Sequence, residues 1–192
     1  MAIQVEGNWK KGFAFDVHTL SSTYLGPDDN GHDQWDNTRS EMGELVYQLK
    51  YRRDQSALQK IIELLDGKMK GIAKFDYIVP IPPTDTSRQF QPVTEIALAL
   101  GKAYDVDVLV DLLRKNSGGR QIKNVSDIEE RQQLLREALS IKSEHQIAGC
   151  DILLVDDLYR SGATLNVATD LLYRAEAGKV CVLTMTKTRS NR

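Results

Sequence analysis

Phe13, Phe15 and Val17 alternate with Ala14, Asp16 and His18, and this period of two predicts a half-buried strand. The polar stretch GPDDNGHDQWDN, residues 26–37, reads as a loop. Thr38 and Glu41 have the spacing of a capping box, and Met42, Leu45, Val46 and Leu49 then recur along one helical face. Together they predict a helix over residues 39–52. Leu58, Ile61, Ile62 and Leu65 mark a second helix closed by Gly67. Neither helix carries an obvious chemical group, so the first third reads as scaffold or cap.

From Phe75 the pattern changes to short apolar runs that alternate with amphipathic stretches: YIVPI, then PVTEIALALGKAY, then VDVLV. Such alternation predicts βαβ units and a parallel sheet. Ser126 and Glu129 offer another capping box, for a helix through about Ala138. After Gly149 comes DILLV, an almost wholly apolar run suited to a strand covered on both faces. The helix ATLNVATDLLYRAEA and a last strand, VCVLTMT, follow it. Between Leu113 and Ser126 lies RKNSGGRQIKNV, a polar, glycine-containing loop of the length that is usually functional or mobile. The fold class expected is α/β, a mostly parallel sheet flanked by helices. Residues 1–72 form a strand and helical cap of the same domain, and residues 73–192 its core.

Bulk chemistry narrows the function classes. The 192 residues, 41% of them apolar, suffice for one core, and 25 basic against 27 acidic side chains give a net charge of -2. No chain-wide field therefore draws the protein to nucleic acid or membrane, and Lys50, Arg52 and Arg53 are the best local basic candidate, read as a solvated helix end. Cys150 and Cys181 are too few for a disulfide framework or zinc cage. They read as small core residues in a reducing, cytoplasmic setting. MAIQVEGNWKK has no apolar leader core, and no run approaches the ~18 apolar residues of a membrane span, so a soluble, unprocessed protein is expected. His18 and His32 lack a metal-ligand set and read as strand-edge and loop residues, while Trp9 and Trp35 read as core aromatics. Neither GxGxxG nor a P-loop signature occurs.

DILLVDDLYRSGAT, residues 151–164, carries the clearest chemistry. Apolar Ile152 to Val155 should aim the chain at the carboxyl edge of the sheet, where open α/β folds bind ligands. Asp156 and Asp157 then stand where the strand ends, and two adjacent carboxylates there call for ribose hydroxyls or a hydrated Mg2+. Tyr159, Arg160, Ser161, Gly162, Ala163 and Thr164 wrap a helix start whose unsatisfied N–H groups and positive dipole end suit a phosphate. Gly162 allows close backbone approach, and Ser161 and Thr164 add hydroxyls.

Two acids after four apolar residues, followed by a small-Gly-x-Thr turn, resemble the phosphoribosyl pyrophosphate (PRPP) motif of the type I phosphoribosyltransferases. The resemblance implies that Asp156 and Asp157 bind the ribose hydroxyls and that the turn holds the 5-phosphate. It also places a pyrophosphate loop at Pro82, Pro83, Thr84, Asp85 and Thr86, with Arg88 in reach. Arg160 and Tyr159 depart from the pattern, since the family usually carries a small Thr or Ser at the position of Arg160. More narrowly, LKY (Leu49, Lys50, Tyr51), VPIP with Arg88 and Phe90, Arg114 with Gln121, and Arg131 resemble the competence protein F (ComF)-like branch. DVHTLSSTYLG stands where the Cys-rich zinc ribbon of that branch would be expected.

That resemblance implies an Mg2+-dependent transfer of a phosphoribosyl group from PRPP to an unidentified acceptor, with release of pyrophosphate. Arg114, Lys115 and the Gly118-Gly119 loop would close over the site. Two alternatives share the motif: a non-catalytic sensor of PRPP or nucleotides, and a DNA-uptake or processing accessory. Acceptor and oligomeric state stay open, a homodimer included.

Overall fold

A computed structural model of the chain describes residues 2–69, 71–83, 90–116, 137–142 and 146–189. Its central sheet has six strands in the order β1 (Ile3–Gln4), β2 (Lys11–Val17), β10 (Val180–Lys187), β9 (Ile152–Tyr159), β5 (Tyr77–Pro80) and β6 (Asp107–Val108). All neighbours run parallel except β1, which pairs antiparallel with β2. The mostly parallel, helix-flanked α/β architecture is thus present.

Each long strand divides its side chains between two cores, as the strand period requires. Ile152 and Leu154 of β9, Val180 and Val182 of β10 and Val79 of β5 pack with Leu165, Ala168 and Leu172 of α4 (Ala163–Arg174). Leu153 and Val155 of β9, with Leu183 and Met185 of β10, face the opposite layer. That layer is Met42 and Leu45 of α1 (Glu41–Tyr47), Ile61 and Leu65 of α2 (Gln55–Asp66), and Ile96 and Leu100 of α3 (Pro92–Tyr104). Covering on both faces is why the DILLV run shows no alternation.

Several expectations are corrected. Ala14 and Phe15 are both buried, so β2 is an interior strand between β1 and β10 and not a half-buried one. The expected polar loop is an antiparallel hairpin of β3 (Thr19–Pro27) and β4 (Asp33–Arg39), exposed along most of both strands and invisible to hydrophobic periodicity. The cap of α1 is Ser40 and not Thr38: its Oγ accepts from the Gly43 N–H at 3.0 Å and donates to the Val17 carbonyl at 2.5 Å. The predicted single helix ends its α geometry at Tyr47 and continues as a π-helical turn, Gln48–Arg52, stopped by Arg53 at φ 55°. Arg114 and Lys115 belong to a short strand, β7 (Leu113–Lys115), paired antiparallel with β8 (Leu139–Ile141), where a loop was expected. The capping box at Ser126 and Glu129 and the Gly118-Gly119 loop lie outside the described residues.

Cys150 and Cys181 are free and half-buried, short of full core residues. Trp9 is in the core as expected, whereas Trp35 is 52% exposed on the hairpin. Among the described residues no helix is long and apolar enough to cross a membrane.

Candidate functional site

The parallel strands β2, β5, β9 and β10 end at one edge, and β9 brings the two acids there. It runs through both acids to Tyr159, four residues beyond the expected end at Val155. Successive strand residues project from opposite faces, so Asp156 and Asp157 straddle the sheet.

Asp157 turns to the α1 side and is 8% exposed. Its Oδ2 accepts from Lys50 Nζ at 2.6 Å, its N–H donates to Asp156 Oδ1 at 2.8 Å, and its carbonyl accepts from Thr186 Oγ1 at 3.1 Å. Thr186 Oγ1 in turn meets His18 Nδ1 at 3.1 Å. Burial holds His18 below the usual imidazole range, with the nearby Arg39 acting in the same sense. Burial is the largest single effect on Lys50 and disfavours its ammonium, but Asp157, Tyr51 and Asp156 together outweigh it, and the ammonium is held above the usual value.

Asp156 is pushed up to about 8, first by burial and then by the carboxylate of Asp157, against the pull of Lys50 and Lys115. Burial lowers Lys115, and the charge of Asp156 opposes that shift. The site therefore pairs Asp157 with a lysine and keeps a second acid, Asp156, that holds its proton near neutral pH.

After β9 the chain passes Arg160 and Ser161, both exposed, to Gly162, which adopts φ 72° and starts α4. A glycine is required there on two grounds. The left-handed conformation disfavours other residues, and a Cβ would stand 2.9 Å from Tyr159 Cε2. No side chain caps α4, so its first N–H groups and positive dipole end face outward past Ala163 and Thr164, both half-buried. The β1–β2 turn buttresses this loop. Tyr159 Oη donates to the Glu6 carbonyl at 3.1 Å, Trp9 meets the Tyr159 ring edge-on at 6.3 Å, and Asn8 bonds Asn166 and Asp170 of α4.

Of the other expected residues, Pro83 is half-buried just after β5, while Thr84, Asp85 and Arg88 lie outside the described residues. Arg114 is exposed and forms a loose ion pair with Asp111 at 3.7 Å. The solvated helix end expected at Lys50 is corrected by its pairing with Asp157. Sequence reasoning named Lys50 without placing it at the acid pair, and missed Thr186 and the Glu6–Trp9 buttress. Only Lys50 had a signal, as the polar member of LKY directly after buried Leu49. Among the described residues no group of three or more His, Cys, Asp or Glu could hold a metal.

No protein-family model and no curated protein matches the sequence. Solved structures do share the fold. The glutamine PRPP amidotransferase of B. subtilis, complexed with ADP and GMP, matches 82% of this chain and 34% of its own at 20% identity, with a TM-score of 0.53. Adenine phosphoribosyltransferase from Leishmania donovani matches 97% of this chain and 75% of its own at 12% identity, with a TM-score of 0.51. The chain spans about a third of the length of that amidotransferase. These likenesses establish the fold of type I phosphoribosyltransferases for this chain.

Proposed function

We propose that the protein is a PRPP-binding phosphoribosyltransferase that moves a phosphoribosyl group to an unidentified acceptor and releases pyrophosphate. The observation that carries this reading is the acid pair on β9 leading, through a left-handed Gly162, into an α4 N-terminus without a side-chain cap. Carboxylates for a polyol and backbone N–H groups for a phosphate stand one loop apart, as a ribose 5-phosphate requires.

In this reading Asp156 and Asp157 are the catalytic pair and receive the ribose hydroxyls, Tyr159 to Thr164 hold the 5-phosphate, and Pro83, Thr84, Asp85 and Arg88 meet the pyrophosphate. Lys115 adds positive charge beside Asp156, and with Arg114 it excludes water, which would otherwise hydrolyse PRPP. As the bond from the anomeric carbon to pyrophosphate breaks and the bond to the acceptor forms, positive charge develops on the ribose ring. Asp157, held in place by its lysine, is placed to stabilise it.

The residues fit Mg2+ only as an ion shared with the substrate. Two carboxylates fall short of a protein cage, yet Mg2+ is commonly held by one or two carboxylates, water and substrate phosphates. Bound in that way by Asp156 and Asp157 with the diphosphate, it would neutralise the leaving group. The domain reading remains part of the proposal, with residues 1–72 as a cap on a core of residues 73–192. The nearer likeness to the ComF-like branch rests on LKY, whose Lys50 reaches the acid pair, and on Arg114. Gln121 and Arg131 of that likeness lie outside the described residues.

Sensing without turnover is a second reading, favoured by the Tyr159 ring packed against Gly162 where the phosphate would sit. One assay separates the two. Pyrophosphate release from PRPP is followed with Mg2+ and a panel of bases and amines, alongside calorimetric PRPP binding. Acceptor-dependent release supports transfer, binding without release supports sensing, and absence of binding defeats both.

A further inference from the structure

Lys50 lies 107 residues from Asp157 in sequence, in the LKY segment to which the resemblance gives no role, yet its Nζ stands 2.6 Å from Asp157 Oδ2. We propose that Lys50 is a positioning residue of the acid pair: seated by a π-helical turn, it fixes Oδ2 of Asp157 and presents Oδ1 to a ribosyl phosphate. The identity of that ligand rests on the reading given under Proposed function; the positioning itself does not.

Three features support it. First, the turn that carries Lys50 is built and anchored. The Ser40 hydroxyl ties the start of α1 to β2, and Gly43 lets the helix approach the His18 carbonyl so closely that a Cβ would lie 2.2 Å from it. The helix then widens to π geometry over Gln48–Arg52 and stops at left-handed Arg53. Widened turns of this kind are rare and concentrate at functional sites. Leu49 within it is fully buried, which pins the turn to the core while Lys50 reaches along the sheet edge.

Second, the pair is not a surface ion pair. Asp157 is 8% exposed and the Lys50 side chain half-buried, so the carboxylate has exchanged water for this one ammonium. Holding a lysine of four rotatable bonds in one place costs side-chain entropy, which an exposed pair would scarcely recover.

Third, the surrounding charges give Lys50 a distinct task. Asp156 shares the β9 end and faces Lys115 of β7, whereas His18, Arg39 and Tyr51 approach from the β2–α1 side. Among the described residues Lys50 is the cation in hydrogen-bond contact with Asp157, and its charge also bears on Asp156. Removing it leaves Oδ2 of Asp157 without that hydrogen bond, so Asp157 should lose its fixed orientation.

The test uses the full chain and the variants Lys50→Met and Lys50→Arg, each verified as folded by circular dichroism. Carboxyl-detected NMR at one fixed pH follows the Asp157 side-chain signal, and calorimetry follows PRPP binding with Mg2+ at the same pH. Lys50→Met should shift and broaden the Asp157 carboxyl signal and weaken PRPP about tenfold to a hundredfold, the scale of a lost charged hydrogen bond. Lys50→Arg should recover most of both readouts. An Asp157 carboxyl signal unmoved by Lys50→Met would overturn the assignment. So would a loss of PRPP binding that is equal in the Met and Arg variants, because that is the mark of a merely structural contact. If the wild-type protein binds no PRPP, the ribosyl-phosphate reading falls, and the NMR comparison alone then decides for or against Lys50 positioning the pair.

Discussion

Asp156 is where burial and charge compete most sharply, and the outcome can be read in stability. Its carboxyl is raised to about 8 in the folded chain, against about 3.9 when unfolded. Between those values the native state binds more protons than the unfolded state, so this group's contribution is fully present below about pH 4 and is lost as pH rises towards 8. His18 has the opposite sign. Its lowered value makes the native state bind fewer protons, which costs stability as pH falls through the imidazole range. The wild-type profile sums both slopes, and the variant Asp156→Asn separates them. Asparagine keeps the acceptor for the Asp157 N–H but carries no charge. Urea unfolding at pH 5.5, 7 and 8.5 should show Asp156→Asn gaining on the wild type with rising pH, by about 1–3 kcal/mol at the top of the range. A difference that stays flat with pH would mean that Asp156 does not hold its proton in the folded protein.

At the level of elements, the site depends on how closely α1 lies against the end of β2. Gly43 sets that distance, since a Cβ there would stand 2.2 Å from the His18 carbonyl oxygen, a backbone atom with little freedom to yield. Two effects oppose each other in Gly43→Ala. Helix propensity favours alanine by about 1 kcal/mol, whereas overpacking against backbone costs about 1–3 kcal/mol and pushes α1 outward. The clash should win, with a lower urea midpoint and a weaker hold of Lys50 on Asp157. A variant as stable as the wild type would show that α1 can shift freely, and the seating of Lys50 would then need another cause. Elements of this kind mark the limit of what the sequence could disclose. α2, α3, β9, α4 and β10 were legible because each buries a face, and burial writes a period of 3.6 or a solid apolar run into the chain. The hairpin β3–β4 was not, because side chains exposed on both faces leave no period to read. Nor was the π turn, since Val46, Leu49 and Lys50 fit an ordinary helix equally well until the hydrogen bonds are traced. The acids and Gly162 announced themselves by local chemistry, whereas the partner of Asp157 arrives from a distant segment that only the fold brings near.

The whole molecule separates into a sheet with two covered faces and an arm that belongs to neither. No residue of β3 or β4 is part of the two core clusters, and Tyr24, Leu25 and Trp35 stand exposed on the arm. What holds it is internal: the Tyr24 and Trp35 rings lie 4.9 Å apart, Tyr24 Oη donates to Asp33 Oδ1 at 2.8 Å, and Ser22 Oγ donates to Asn37 at 2.6 Å. A two-stranded ribbon is marginal in water by itself, so its order depends on a root held by the body. At that root Thr19 pairs with Arg39, the Ser40 N–H donates to the His18 carbonyl, and Arg189 donates to the Leu20 carbonyl. Dependence in the other direction should be slight. Replacing residues 22–37 by a short glycine-containing turn removes no core side chain, and shortening the loop gains at most several tenths of a kcal/mol in closure entropy. The shortened protein should unfold within about 1 kcal/mol of the full chain, with the fluorescence of buried Trp9 reporting the same cooperative transition. A loss above about 3 kcal/mol would place the arm within the folding unit and require a contact between it and the sheet. If stability holds while PRPP binding or acceptor-dependent release is altered, the arm acts on the ligand edge it springs from, because β2 ends there beside Thr186 and the acid pair.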